Sequence, residues 1–307
     1  MTAYAYFRGE VMPLSEAKVG IMNHTFNYGT GAFEGLRAYW NQREQQLNVF
    51  RMREHFKRLE DSCRILTLTL PRSIDGLGEL SLDLIRRNEY KEDIYIRPIA
   101  YKDCDIIGAR LHDLPDGFLI YTSPFEKHVP QGRGLRVCVS SWRRVDDNAI
   151  PARAKICGLY VNSSLVKSQA MLDGYDEAIM LTQDGGVCEG SVENIFLVFG
   201  DKLVTPPPSD SILVGITRNT VIELAKKELG LETIERRIGR TELYIADEVF
   251  VTGSAVEIAP VGEIDRRKIG DGEPGRLTTR LQEIYSKAVQ GELDGYSHWL
   301  TPVYPRG

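Results

Sequence analysis

At 307 residues the chain is long enough for two domains of ordinary size or one large one, and either would bury a substantial core without disulfide or metal staples. Its 42% hydrophobic and 26% charged content is that of a soluble globular protein, and a net charge of -5 argues against a strongly basic nucleic-acid surface and for a small-molecule partner. Cys63, Cys104, Cys138, Cys157 and Cys188 are odd in number and form no C-x-x-C pair, so no disulfide framework or zinc site is expected and a reducing cytoplasm fits best.

In chain order, the opening MTAYAYFRGEVMP has no apolar leader core, and no later apolar run approaches the roughly 18 residues of a membrane span, so a cytosolic protein is expected. GTGAFEG, Gly29 to Gly35, lacks the G-x-G-x-x-G spacing of a dinucleotide loop, and no acidic strand end follows about 20 residues on. REHFKRLEDSCRIL sets Phe56, Leu59, Cys63 and Leu66 at steps of three and four, which predicts an amphipathic helix, and ELSLDLIRRNEY predicts another. DIYIRPIAY alternates Ile94 and Ile96 with Tyr95 and Arg97 as a strand would, with Pro98 expected to end the regular pairing.

The prolines and glycines of YTSPFEKHVPQGRG mark a linker, so a small α/β domain over 1–121, a loop over 122–134 and a larger domain over 135–307 are expected. EAIMLTQDGGVCEGSVENIFLVFGDKLVTPPP then reads as an antiparallel meander with turns at Asp-Gly and Gly-Asp. GITRNTVIELAKKELGL predicts a helix with Thr217 as its N-cap and Gly230 as its stop. The fold class is therefore α+β, a mixed α/β protein.

No serine-hydrolase elbow, zinc-protease helix or P-loop occurs, and His24, His55, His112, His128 and His298 are too scattered for a local metal motif; no metal is expected. What remains is lysine chemistry. A desolvated lysine loses its proton readily and its amine can condense with a carbonyl. Lys155, in PARAKICGLYVNS, is the candidate, although residue type alone leaves it a solvated surface charge. Cys157 beside it reads as a small packing residue.

Seven stretches carry a resemblance: NHTFNYGTGAFEGLRAY, FRMREHFKRLEDS, YIRPI, IPARAKICGLYVNS, CEGSVENIF, GITRN and LYIADEVFVTGSAVEIAPV. In order and spacing they resemble the branched-chain amino acid aminotransferases of fold type IV, over roughly residues 4–290. The resemblance implies a small N-terminal α/β domain, a larger C-terminal domain with an antiparallel, barrel-like sheet, and pyridoxal 5′-phosphate as cofactor. It implies that Lys155 binds the cofactor covalently and then shuttles the substrate Cα proton. Glu189 would face the pyridine nitrogen, although a regular strand would put Glu193 on the same side. Arg58 and the backbone amides of Ile216 and Thr217 would hold the phosphate, Tyr160 would lie against the ring oxygen, and Ser254 and Ala255 would meet the phosphate and the substrate carboxylate.

For the substrate, the resemblance implies an apolar wall of Phe33, Gly35 and Tyr95, a phenol from Tyr28 of another subunit, and Arg97 as receiver of the distal carboxylate of glutamate. The loop at 122–134, with Phe125 and His128, would cover the substrate. The implied reaction is ping-pong transfer of an amino group from L-leucine, L-isoleucine or L-valine to 2-oxoglutarate in a homodimer or homohexamer. Alternatives are a broader fold type IV transaminase acting on aromatic amino acids, D-amino acids or (R)-amines, an aminodeoxychorismate lyase, and a non-catalytic binding protein.

Overall fold

The computed structural model describes residues 3–125 and 133–305. His128, expected in the substrate loop, lies outside them. The chain divides into two compact units, Met1–Glu126 with Ala154–Gly158 and Lys287–Gly307, and Lys127–Arg153 with Leu159–Ser286. Two segments assigned by sequence to the larger domain thus group with the first unit, and backbone pairing is the reason. Ala32 bridges Ile156, and the Cys157 N–H donates to the Gly31 carbonyl at 2.8 Å. The C-terminal strand Leu300–Pro302 pairs with the strand Gln46–Phe50.

The first unit contains strands β1 (Tyr4–Phe7), β2 (Glu10–Pro13), β3 (Ala32–Phe33), β4 (Leu36–Asn41), β5 (Gln46–Phe50), β6 (Ile94–Lys102) and β7 (Asp116–Pro124), with helices α1 (His24–Tyr28), α2 (Met52–Ile65) and α3 (Ile74–Asn88). Its sheet runs C-terminal strand, β5, β4, β6, β7, β1, β2, with β3 also on β6, and every pairing is antiparallel. Helix α2 buries Phe56, Leu59 and Cys63 as its period predicts, and it buries His55 and Ser62 on the same side. Helix α3 starts earlier than its apolar period suggests, because Ser73 Oγ caps it by accepting from the Gly76 N–H at 3.3 Å.

Pro98 does not end β6. The strand continues to Lys102, pairing with β7 throughout, while on its other edge it changes partner from β4 at Ile94–Ile96 to β3 at Ile99–Ala100. Within a strand a residue's N–H and C=O point to one edge. The Pro98 carbonyl accepts from the Glu34 N–H at 3.0 Å, so the missing proline N–H falls at that break between β3 and β4.

The second unit contains β8 (Leu135–Arg143), α4 (Tyr160–Leu172), β9 (Glu177–Leu181), β10 (Val187–Gly190), β11 (Asn194–Phe199), β12 (Lys202–Thr205), α5 (Ile216–Leu229), β13 (Thr233–Glu235), β14 (Glu248–Gly253), β15 (Glu257–Ile264), β16 (Arg267–Lys268) and α6 (Arg276–Gln290), whose last turn groups with the first unit. The order β10, β9, β8, β15, β14, β11, β12, β13 is mostly antiparallel, with parallel pairs at β8/β9, β8/β15 and β12/β13. Helices α4 and α5 serve as crossovers for the β8/β9 and β12/β13 pairs.

The expected meander is therefore two hairpins, β9/β10 and β11/β12, with four other strand positions separating β10 from β11 along the sheet. Only residues 191–193 join them. Four Cα–Cα steps span at most about 15 Å, whereas five interstrand spacings in a flat sheet would need about 24 Å. The sheet must curl, which is the barrel-like form expected. Its interior is apolar, with Val137, Ile179, Ile195, Leu197, Val249 and Val261 among the buried residues. Among the described residues no helix is long and apolar enough to cross a membrane.

Candidate active site

The residues expected to act fall into two sets, one in each unit. In the first unit, Lys155 sits in irregular backbone, and both of its main-chain groups are held. Its N–H donates to Ser62 Oγ at 3.1 Å, and its carbonyl accepts from the Phe33 N–H at 3.0 Å. Withdrawal from water, reinforced by the Arg58 charge and opposed by Glu34, pushes the Lys155 ammonium down to about 8. That places a neutral, nucleophilic amine within reach near physiological pH.

Glu34 is fully buried between β3 and β4. It accepts from Arg58 Nε at 2.6 Å and Nη2 at 2.8 Å, and it contacts His55 Nδ1 at 2.7 Å. Burial alone would raise the Glu34 carboxyl, but the Arg58 charge and the His55 hydrogen bond outweigh it and hold the group well below the usual carboxylate range. Burial lowers His55 more than Glu34 raises it. The ring is then neutral at pH 7, with Nδ1–H as donor to the carboxylate.

The residues expected to form the substrate wall gather in the same unit. Phe33 carries two cations near its ring, Arg97 at 4.4 Å and Lys155 Nζ at 5.1 Å. Arg97 Nη2 donates to Tyr95 Oη at 2.8 Å, and Tyr95 stacks on Phe125 at 6.0 Å. Ile94, Ile96 and Pro98 are buried while Tyr95 and Arg97 are half-exposed, the alternation that the sequence predicts. Gly35 leaves the room that Tyr95 Oη fills, since the phenol oxygen occupies the place of a Cβ there. Cys157 packs against Gly31, and burial pushes its thiol up to about 11, so it is no nucleophile at neutral pH. Tyr28 stands elsewhere, 41% exposed at the end of α1, with its Oη accepting from the Gly108 N–H at 3.1 Å.

In the second unit Glu189 is the penultimate residue of β10. Its carboxylate is paired with Arg144 Nη2 at 3.0 Å and accepts from the Leu213 N–H at 3.0 Å and Asn194 Nδ2 at 3.3 Å. Arg144 and Glu189 are both buried, 4% and 5% exposed. Glu193 does not share that face, because no regular strand connects the two. The Gly190 N–H donates to the Glu193 carbonyl at 2.6 Å across a tight bend. Burial, reinforced by the nearby Glu177 charge, pushes the Glu193 carboxyl up to about 8. Geometry thus separates two glutamates that spacing could not: one has a guanidinium partner, the other keeps its proton at neutral pH.

The N-cap of α5 is Gly215, not Thr217, which lies at the second helical position. A hydroxyl at Thr217 suggested a cap, but the chain uses glycine because a Cβ at position 215 would collide with Asn194 Oδ1. No side chain caps this end, so the first amides, Ile216 and Thr217, keep the anion-binding potential of a helix N-terminus. Tyr160 opens α4, half-buried, and Ser254 and Ala255 form the turn between β14 and β15. Sequence reasoning missed Glu34, His55, Ser62, Arg144 and Asn194. Of these, His55 and Ser62 share the helical stripe of Arg58, the one signal that could have found them.

The pattern that defines the Amino-transferase class IV family matches residues 31–264. The chain is 50% identical over 303 residues to a probable branched-chain-amino-acid aminotransferase of Aquifex aeolicus, covering 99% of this chain and 97% of that one. Its structure matches that of the branched-chain aminotransferase from Thermoproteus uzoniensis with norvaline, with a TM-score of 0.94, 43% identity, and 99% and 100% of the two chains covered. It also matches the holo-form, with PLP, of the branched-chain amino acid aminotransferase from Thermobaculum terrenum, with a TM-score of 0.94, 37% identity and 99% of each chain covered.

Proposed function

The chain belongs to the class IV aminotransferases, in the branched-chain-amino-acid group, and on that premise we propose that it transfers the amino group of L-leucine, L-isoleucine or L-valine to 2-oxoglutarate. The products are the branched-chain 2-oxo acids and L-glutamate, formed in a ping-pong cycle with pyridoxal 5′-phosphate. The observation that carries this reading is the grouping of the Lys155 amine, the Phe33 and Tyr95 rings and the Arg97 guanidinium in one unit. The donors suit the cofactor: an amine of reduced proton affinity, a carboxylate held against Arg144, and an α5 N-terminus with no capping side chain.

The cofactor, when bound, supplies an electrophilic carbon and a ring that accepts electrons. Lys155 would hold it covalently, and its free amine would take up and give back the proton at the substrate Cα. Glu189 would face the pyridine nitrogen and favour its protonated form. Arg58 and the Ile216 and Thr217 amides bind the phosphate, with Ser254 nearby and Tyr160 against the ring oxygen. Phe33, Gly35 and Tyr95 take the apolar side chain, Arg97 takes the distal carboxylate of glutamate, and Ser254 and Ala255 take the α-carboxylate.

Tyr28 serves the site of a second copy in a homodimer or homohexamer. Ile21 at 85% and Phe26 at 70% exposure, beside Tyr28, support such an assembly face. The five free thiols suit a cytoplasmic setting. Incubation with leucine and 2-oxoglutarate tests the reaction. Glutamate should form at a rate that depends on added pyridoxal phosphate, and Lys155→Ala should remove both turnover and the visible absorbance of the bound cofactor. Absence of glutamate with active holoprotein would overturn the reading.

A further inference from the structure

The hydrogen bonds around Lys155 close into a ring. The Lys155 N–H donates to Ser62 Oγ at 3.1 Å, and the Ser62 hydroxyl donates to the Arg58 carbonyl at 2.9 Å. The Arg58 guanidinium grips Glu34 at 2.6 and 2.8 Å, Glu34 follows Phe33 in the chain, and the Phe33 N–H returns to the Lys155 carbonyl at 3.0 Å. Ser62 and Glu34 are both 0% exposed.

Ser62 lies inside α2 and Glu34 lies between β3 and β4. A serine bonding back to the carbonyl four residues earlier slightly weakens a helix, and a buried carboxylate is costly unless fully paired. Their arrangement makes sense as a link between two points. Lys155 lies outside regular secondary structure, so its N–H has no ladder partner, and Ser62 supplies one while keeping contact with the Arg58 main chain. Glu34 fixes the other end of Arg58 in a two-point grip that a single bond could not orient. His55 holds the Glu34 carboxylate from a third side.

We infer that Ser62 and Glu34 are positioning residues that set the offset between the Lys155 amine and the Arg58 guanidinium, and so match the chain to a cofactor that must meet both. This rests on the assignment of Lys155 and Arg58 to pyridoxal phosphate. A closed ring is opened by one cut. Ser62→Ala and Glu34→Gln should therefore each weaken pyridoxal phosphate binding by tenfold or more, and the double variant should bind no worse than the weaker single one.

Equilibrium dialysis of the full-length apoproteins measures the affinities. Ser81→Ala is the control, since Ser81 is likewise 0% exposed and bonds back to the Leu77 carbonyl at 2.8 Å within α3. It should lose comparable thermal stability and keep wild-type affinity. Competitive amine labelling of Lys155, followed by mass spectrometry across pH, gives a second readout. Glu34→Gln, which uncovers the Arg58 charge, should move the midpoint to lower pH, while Ser62→Ala should leave it in place. Unchanged affinity in Ser62→Ala, or losses that multiply in the double variant, would overturn the inference. If Glu34→Gln does not fold, Ser62→Ala against Ser81→Ala decides alone. A wild-type protein that fails to bind pyridoxal phosphate would instead sink the proposed function.

Discussion

Tyr95 Oη occupies the space in which Gly35 would carry a Cβ. Gly35→Ala must push the phenol aside, and the Arg97 guanidinium bonded to it at 2.8 Å moves with it. Overpacking of this kind costs about 1–3 kcal/mol, so the variant should still fold. Its KM for 2-oxoglutarate should rise about tenfold or more, well beyond any rise for leucine, if Arg97 receives the distal carboxylate as proposed. Equal changes in both constants would remove Arg97 from that role.

Lys155 should titrate far below an ordinary lysine. With its ammonium pushed down to about 8 from 10.5, the folded apoprotein releases this proton before the unfolded chain does. The unfolded state then binds more protons between those values, so stability gains a rising contribution from about pH 8 toward 10.5. Urea midpoints across that window should show the slope in wild type and its loss in Lys155→Met. In the loaded enzyme, Lys155→Ala should cost at least the roughly 10²–10⁴-fold of a lost acid–base group, measured by single-turnover kinetics.

Arg144 and Glu189 should depend on each other more than on the surrounding fold. Breaking a buried ion pair by removing one partner costs about 3–5 kcal/mol, so Arg144→Met should be strongly destabilised in urea at pH 7. Adding Glu189→Gln removes the stranded charge and should restore most of the stability. Turnover should stay low in the double variant, since the carboxylate proposed to face the pyridine nitrogen is gone. A double variant with wild-type turnover would show that Glu189 has no part in the reaction.

Glu193 sets the opposite pH trend. Burial, with Glu177 adding to it, raises its carboxyl from 4.5 to about 8, so the folded protein holds a proton that the unfolded chain has already released. Its contribution to stability is complete below pH 4.5 and declines as pH rises to about 8. Unfolding free energies at pH 5 and pH 8.5 should differ less in Glu193→Gln than in wild type. An unchanged difference would mean that Glu193 is ionised throughout.

The sequence made the elements legible and left several of their partners hidden. Periodicity found α2 through Phe56, Leu59 and Cys63, but a rule that scores apolar residues has no place for His55 and Ser62 on the same buried side. Glu34 looked like any glutamate because what makes it special, the grip of Arg58, comes from a helix not yet placed. Thr217 had the right chemistry for a cap, and it is the Asn194 amide, whose Oδ1 fills the place of a Cβ at 215, that favours glycine there. Glu189 and Glu193 were inseparable by spacing because the bend between them breaks the strand that spacing assumes. Local rules succeed where the cause is local; these residues owe their roles to neighbours far along the chain.

The curl of the second sheet also bears on the order in which it folds. β9/β10 and β11/β12 are hairpins, and the bend at 191–193 joins them with little chain to close. Such contacts have a small loop entropy and form quickly, whereas the parallel pairing of β8 with β15 joins Val137 to Ile264 across most of the unit's sequence and must come late. The hairpin pair that carries Glu189 and Asn194 therefore belongs to the early nucleus. Substitutions within it, such as Ile195→Val, should slow folding, while those at the β8/β15 seam, such as Val137→Ala, should mainly speed unfolding.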